Sequence, residues 1–155
     1  MSSTTNDARY MEFKLGQQQF AIPLLDVREV IRMPEITNVP NMPVHFEGMM
    51  NLRGQIFGVF NIRKKLNSKN VPKDAEQIEV VIVVEKNGVS VGIIVDEVSR
   101  VLHPSPNMMK PAPVKDDDPA KNYVGPVIQT DSGLVLVVNI EKLLELEKFQ
   151  SMSAA

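Results

Sequence analysis

The residue types able to carry chemistry are few in this chain, and their spacing does not suit catalysis. His45 and His103 each lie beside a proline-rich stretch, and neither has a carboxylate or second histidine four residues away. A zinc site built on one helix face needs that spacing. Asp116, Asp117 and Asp118 put three carboxylates side by side. A calcium loop instead alternates its oxygen ligands and adds a distant glutamate, so the triplet reads as a solvated loop. Cysteine is absent, which excludes disulfides, thiolate nucleophiles and cysteine metal sites. No glycine-rich phosphate loop ending in Gly-Lys-Ser/Thr and no nucleophile-elbow sequence occurs. A triad assembled only in space stays open, but the residues themselves predict a non-enzyme with no metal and no cofactor.

What the chain does carry is an internal repeat. Ala21-Ile22-Pro23-Leu24-Leu25-Asp26-Val27-Arg28-Glu29-Val30 is echoed by Gly92-Ile93-Ile94-Val95-Asp96-Glu97-Val98-Ser99-Arg100-Val101, an offset of 71 (27 to 98). Val59-Phe60-Asn61-Ile62-Arg63-Lys64-Lys65-Leu66 is echoed by Val137-Val138-Asn139-Ile140-Glu141-Lys142-Leu143-Leu144, an offset of 78 (61 to 139). Two similar halves meet at a seam, and a seam is a natural place for a partner.

The 155 residues suffice for one domain or two small ones packed together, and 43% hydrophobic content supports a core. No tryptophan occurs and 5% of residues are aromatic, so aliphatic side chains must fill that core. Seventeen basic and nineteen acidic residues leave a net charge of −2, which offers phosphate no basic surface. No apolar run approaches the ~20 residues that span a bilayer, and residues 2–7 are polar rather than signal-like. A soluble, cytoplasmic protein that neither inserts into membrane nor binds nucleic acid is expected.

Met11, Phe13 and Leu15 alternate with polar residues, as do Phe20, Ile22 and Leu24 after a Gly16 turn, which predicts a hairpin. Residues 26–32 fit either a helical turn or an irregular strand. Pro34, Pro40 and Pro43 then force an extended connection. Residues 48–52 and 56–62 form a second hairpin around Arg53-Gly54, with Gly54 tolerating the left-handed turn. Residues 68–77 read as the linker between halves. Val80 to Val84 form a β-branched run, followed by the hairpin signal Asn87-Gly88 and by alternating Val89, Val91 and Ile93. A second proline-rich connection, 103–119, precedes a last hairpin around Asp131-Ser132-Gly133. Ile140, Leu143, Leu144 and Phe149 share a helical face, with Asn139 as N-cap and Lys148 in the last turn, so a short helix closes the chain. Four or five short strands per half favour two small β-barrels over a βαβ sheet.

Four segments taken in order resemble the CheW family of bacterial chemotaxis coupling proteins. They are Phe20 to Ile31, the signature Gly48-Met49-Met50-Asn51-Leu52-Arg53-Gly54, Val91 to Val98 with Val101-Leu102, and Val137 to Leu144. The resemblance covers residues 10–146. It implies an all-β fold of two packed five-stranded SH3-like barrels with a short C-terminal helix. The barrels are placed near 10–67 and 78–139, exchange of elements between them is left open, and 1–9 and 150–155 are flexible tails. It further implies an adaptor, not an enzyme, that ties the helical-hairpin tips of chemoreceptors to the regulatory domain of the histidine kinase CheA at membrane-associated arrays. A CheW-like scaffold for another sensory-kinase pathway, such as motility by pili, is the nearer alternative. A small-barrel nucleic-acid binder, which would need aromatic stacking over a basic groove, is the remote one. The family's usual Pro and Asp are replaced where this chain reads Gly58 and Asn61. Asn61 is still able to cap a turn, while Gly58 is expected to loosen a strand end.

By the same resemblance, Val27, Glu29, Gly48, Arg53, Val80, Val98 and Val101 are receptor-binding positions. Val30 joins them as the repeat partner of Val101. Taken singly, each valine fits a core position as well. Arg53 fits a solvated turn or an ion pair bracing the fold. Glu29 and Arg53 either bond each other or one faces the partner. The kinase must use another surface, with the proline-rich connections and the turns near Gly48 and Gly125 as first places to look.

Overall fold

The computed structural model describes residues 8–65, 79–112 and 123–144. The expected linker at 68–77, the Asp116–Asp118 triplet, Lys148, Phe149, residues 1–7 and the tail at 150–155 lie outside the described residues.

The four predicted hairpins are present. They are β1 (Tyr10–Leu15) with β2 (Gln18–Pro23), β4 (Phe46–Leu52) with β5 (Gln55–Asn61), β6 (Val80–Lys86) with β7 (Val89–Val95), and β10 (Val124–Thr130) with β11 (Gly133–Val138). The ambiguous segment after β2 resolves into both candidates. A one-turn 3-10 helix at Leu24–Asp26 leads into strand β3 (Val27–Arg32). Its counterpart in the second half is β8 (Glu97–Leu102), followed by a 3-10 turn at Pro106–Met108 and the two-residue strand β9 (Met109–Lys110). Two short helices, α1 (Ile62–Lys65) and α2 (Ile140–Leu143), follow β5 and β11. Each starts at an asparagine that accepts a backbone hydrogen bond: Asn61 Oδ1 from Arg63 N at 3.1 Å and Asn139 Oδ1 from Lys142 N at 3.2 Å.

The strands form two sheets, and each sheet takes strands from both halves of the chain. One runs β8-β1-β2-β11-β10-β9 and the other β3-β6-β7-β5-β4. Replacing every strand of the five-stranded sheet by its sequence repeat reproduces the order β8-β1-β2-β11-β10. Even the parallel joints correspond, Val59 facing Gly92 in one sheet and Val137 facing Ala21 in the other. The fold is thus all-β with two related subdomains. The expected count of five strands holds for one sheet, and β9 adds a sixth to the other. The chain passes between sheets at Leu24–Asp26 and again at Asp96.

Alternation along the strands builds three apolar layers. Phe13, Leu15, Phe20 and Ile22 of one sheet pack with Ile82, Val84, Val91, Ile93 and Val95 of the other, in a cluster closed by Ile140, Leu143 and Leu144. The outer face of the five-stranded sheet has its own core of Met50, Phe57, Val59, Val81, Val83 and Ile94. That of the six-stranded sheet has Ala21, Leu102, Ile128, Val135 and Val137. β7 is buried along its whole length because it is covered on both faces, which is why its sequence is almost wholly uncharged and apolar, with Ser90 its one polar side chain. Gly58 sits mid-strand rather than loosening a strand end. A Cβ there would lie 2.8 Å from Phe46 Cε2, so the missing side chain makes room for that ring, which stacks edge-on against Phe60.

Candidate functional site

The sequence-predicted residues fall into two groups on opposite faces of the five-stranded sheet and its partner. The first group is the valines. β3 pairs with β6 as Val27 to Val84 and then Glu29 to Val83, so Arg28 is the extra residue of a bulge. β8 pairs with β1 as Phe13 to Val98 and then Glu12 to Arg100, so Ser99 is the extra residue there. The two bulges stand at repeat-equivalent positions. Each reverses the alternation, placing residues three apart on the same face. Val27 and Val30 therefore both face the layer between the sheets, and so do Val98 and Val101. Val27, Val80 and Val98 pack against the edge of the shared core. Val30, opposite Ile82, is 39% exposed, and Val101, opposite Met11, is 50% exposed. Among the described residues the junction is therefore filled at its centre, and an apolar rim is left part exposed on the outer strands β3 and β8.

Glu29 and Arg53 form the second group, and they bond each other: Arg53 Nη2 donates to Glu29 Oε2. Arg53 occupies the two-residue β4–β5 turn with φ +50°, followed by Gly54 at +89°. Both turn residues, not only the glycine, are therefore left-handed, as a type I′ turn requires. Asn51 Oδ1 accepts from Gly54 N at 2.9 Å and fixes the turn. Next to the ion pair, Arg28 Nη1 donates to Gln55 Oε1 at 2.6 Å. β3 is one outer strand of this sheet and the β4–β5 hairpin forms its other side, so these two contacts draw the two sides together as a barrel does. The six-stranded sheet uses the equivalent place. Arg100 on β8, at the repeat position of Glu29, donates from Nη2 to Ser132 Oγ in the β10–β11 turn at 2.8 Å. Arg100 Nε also donates to the buried Glu12 at 3.2 Å.

Gly48 has a backbone role. It is buried with φ +150°, and a Cβ would stand 2.3 Å from the Thr37 carbonyl oxygen. It lets residues 36–37 close on β4, where Thr37 and Met49 exchange backbone hydrogen bonds of 2.8 and 2.9 Å. Pro34, Thr37, Met49, Asn51 and Ile56 line a groove beside this closure. His45 is buried and stacks on Phe60 with ring centroids 5.8 Å apart, whereas His103 is exposed. Among the described residues no cluster of three or more His, Cys, Asp or Glu side chains could hold a metal ion. Nor is any helix among them long and apolar enough to cross a membrane.

Sequence reasoning missed one charged cluster. Asp96, 3% exposed at the second crossing between sheets, accepts from Gly16 N at 2.5 Å and from the Arg63 guanidinium. The signal was there to read: Asp96 is a charge placed directly after the buried strand β7, where the repeat has Leu25.

The chain matches the family model for the CheW-like domain over residues 9–148. It is 31% identical over 148 residues to "Chemotaxis protein CheW" of Klebsiella aerogenes, covering 96% of this chain and 88% of that protein. It is also 31% identical to "Protein PilI" of Pseudomonas aeruginosa, but over 91 residues, 59% of this chain and 50% of that protein. The crystal structure of the scaffolding protein TtCheW from Thermoanaerobacter tengcongensis superposes with a TM-score of 0.76 at 29% identity, covering 90% of this chain and 93% of that one.

Proposed function

The chain belongs to the CheW family of chemotaxis coupling proteins, and from that premise we propose that it is a non-enzymatic adaptor holding chemoreceptor tips to the histidine kinase CheA. A receptor tip is a helical hairpin, and a helix docks through an apolar stripe flanked by polar contacts. The paired bulges at Arg28 and Ser99 carry this reading, because they turn Val27 and Val30 on β3, and Val98 and Val101 on β8, toward the layer between the sheets, where Val30 and Val101 stay part exposed. Val80 on β6 packs against the same layer. Glu29 and Arg53 supply charge on the neighbouring closure of the barrel, where Arg53 is 65% exposed and able to exchange part of its pairing for a partner carboxylate. Gly48 supports the site by permitting the Thr37–Met49 closure.

The regulatory domain of CheA is held on another surface, so that both partners are bound at once. The protein works in the cytoplasm and joins membrane-associated arrays through the receptors. Co-sedimentation of kinase with receptor-bearing vesicles, with and without this protein, tests the reading. Kinase in the pellet only when the protein is present is expected, and equal recruitment in its absence would reject it. The partial similarity to PilI favours a second reading, an adaptor of the same mechanics serving another sensory kinase. The receptor and kinase that the protein pulls down from its own organism would separate the two.

A further inference from the structure

The buried cluster around Asp96 does work that its repeat-equivalent does without. At the first crossing between sheets, position 25 is a leucine that is 98% exposed, and the neighbouring Asp26 meets Lys86 at 3.4 Å in a half-exposed contact. At the second crossing the equivalent position is Asp96, with its side chain 2% exposed. Its Oδ2 takes both Gly16 N, in the β1–β2 turn of the six-stranded sheet, and Arg63 Nη2, on α1 at the end of the five-stranded sheet. Its own backbone N–H donates to Lys14 O at 3.0 Å. One carboxylate thus ties the two subdomains together.

The first crossing shows that this fold can pass between sheets without a buried charge. A buried ion pair is weak support for stability, since desolvating both partners costs much of what their attraction returns. Its better-attested use is to fix one arrangement among several that an apolar interface would tolerate. Apolar layers are non-directional and allow two sheets to slide or rotate on one another. A charge pair with a backbone donor does not.

The geometry points to Arg63 and Asp96 as positioning residues that set the relative placement of the β3 and β8 rims, and thereby the affinity for a helical partner that neither residue touches. Val98 follows Asp96 by two residues, so β8 leaves the clamp directly into the rim. This inference rests on the adaptor reading for its binding consequence but not for its structural one.

The test uses the full chain, which has no native cysteine. Spin labels at Glu85→Cys on β6 and Gln129→Cys on β10, both exposed positions outside the proposed contact, report the distance between the two sheets. The double variant Asp96→Asn with Arg63→Gln removes both charges while keeping an oxygen for Gly16 N. It is expected to fold, to broaden the label–label distance distribution, and to bind a receptor-tip fragment about tenfold more weakly, because a partner must then select one placement from several. Should this variant not fold, Arg63→Lys, which keeps the charge and loses the planar fork, is read in the same way.

A distribution as narrow as the parent's overturns the proposal whatever binding does. A broadened distribution with parental affinity overturns it as well. If the parent itself fails to bind the fragment, the adaptor reading falls, and the distance distribution alone decides whether the clamp orients the sheets.

Discussion

Glu29 on the outer strand β3 and Arg53 in the β4–β5 turn form an ion pair that joins the two sides of one five-stranded sheet. Arg53 holds φ +50° to do so. A left-handed non-glycine residue costs about 1 kcal/mol or more, and asparagine suits this turn far better. An exposed ion pair returns about 0–1 kcal/mol. The local chemistry therefore gives the fold little reason to keep arginine here. Arg53→Asn is expected to leave stability to urea unchanged or raised, while weakening receptor-tip binding by roughly 1.5–3 kcal/mol. A stability loss matching the binding loss would assign Arg53 to bracing the barrel instead.

The exposed and buried valines and isoleucines separate by the same logic. Val30→Ser and Val101→Ser replace half-exposed rim residues and are expected to change stability by less than about 0.5 kcal/mol each. Ile93→Ala, at 0% exposure in the shared layer, is expected to cost roughly 2–5 kcal/mol. Denaturant titrations of the three variants check the contrast, and a large stability loss at Val101 would make it a core residue.

Gly48→Ala places a methyl group 2.3 Å from the Thr37 carbonyl oxygen and 2.7 Å from Ile36 Cγ2. The backbone must give way there, so the Thr37–Met49 bridge is expected to open at a cost of about 2–4 kcal/mol. Amide exchange at Thr37 and Met49 reads this locally, and unchanged protection would contradict it.

Gly58→Ala puts its Cβ 2.8 Å from the Phe46 ring. The expected loss is about 1–3 kcal/mol, and Phe46→Leu in the same chain should recover part of it. Additive losses in this double-mutant cycle would rule out the proposed contact.

The exchange of strands between halves has its own consequence. Each sheet joins one half's hairpin to the other half's strands through the parallel pairs β5–β7 and β2–β11. Chains cut between residues 65 and 79 are expected to be unfolded singly and to regain the parent circular dichroism spectrum when mixed in equal amounts. A fragment that folds alone would show that a subdomain is encoded by one half.

The hairpins were legible because their signals are local: alternation in Met11-Phe13-Leu15, the Asn87-Gly88 turn, the Asp131-Ser132-Gly133 turn. The repeat was legible too, and with it the pairing of Val27 with Val98. The exchange was not, because Val59–Gly92 and Ala21–Val137 are long-range parallel contacts that leave no mark on either strand's own pattern. The bulges at Arg28 and Ser99 were hidden for a related reason. Valines three apart read as a helix or a broken strand until the partner strand fixes the register. Arg63 and Asp96, 33 residues apart, could be joined only once the second crossing between sheets was known.

Methyl-resolved NMR of the valine-labelled protein, titrated with a receptor-tip helical hairpin, reads the account most directly. Saturable shifts at Val27, Val30, Val98 and Val101, with Val135 and Val137 of the outer core silent, are expected. Shifts confined to other faces, with these four valines unmoved at saturation, would contradict it.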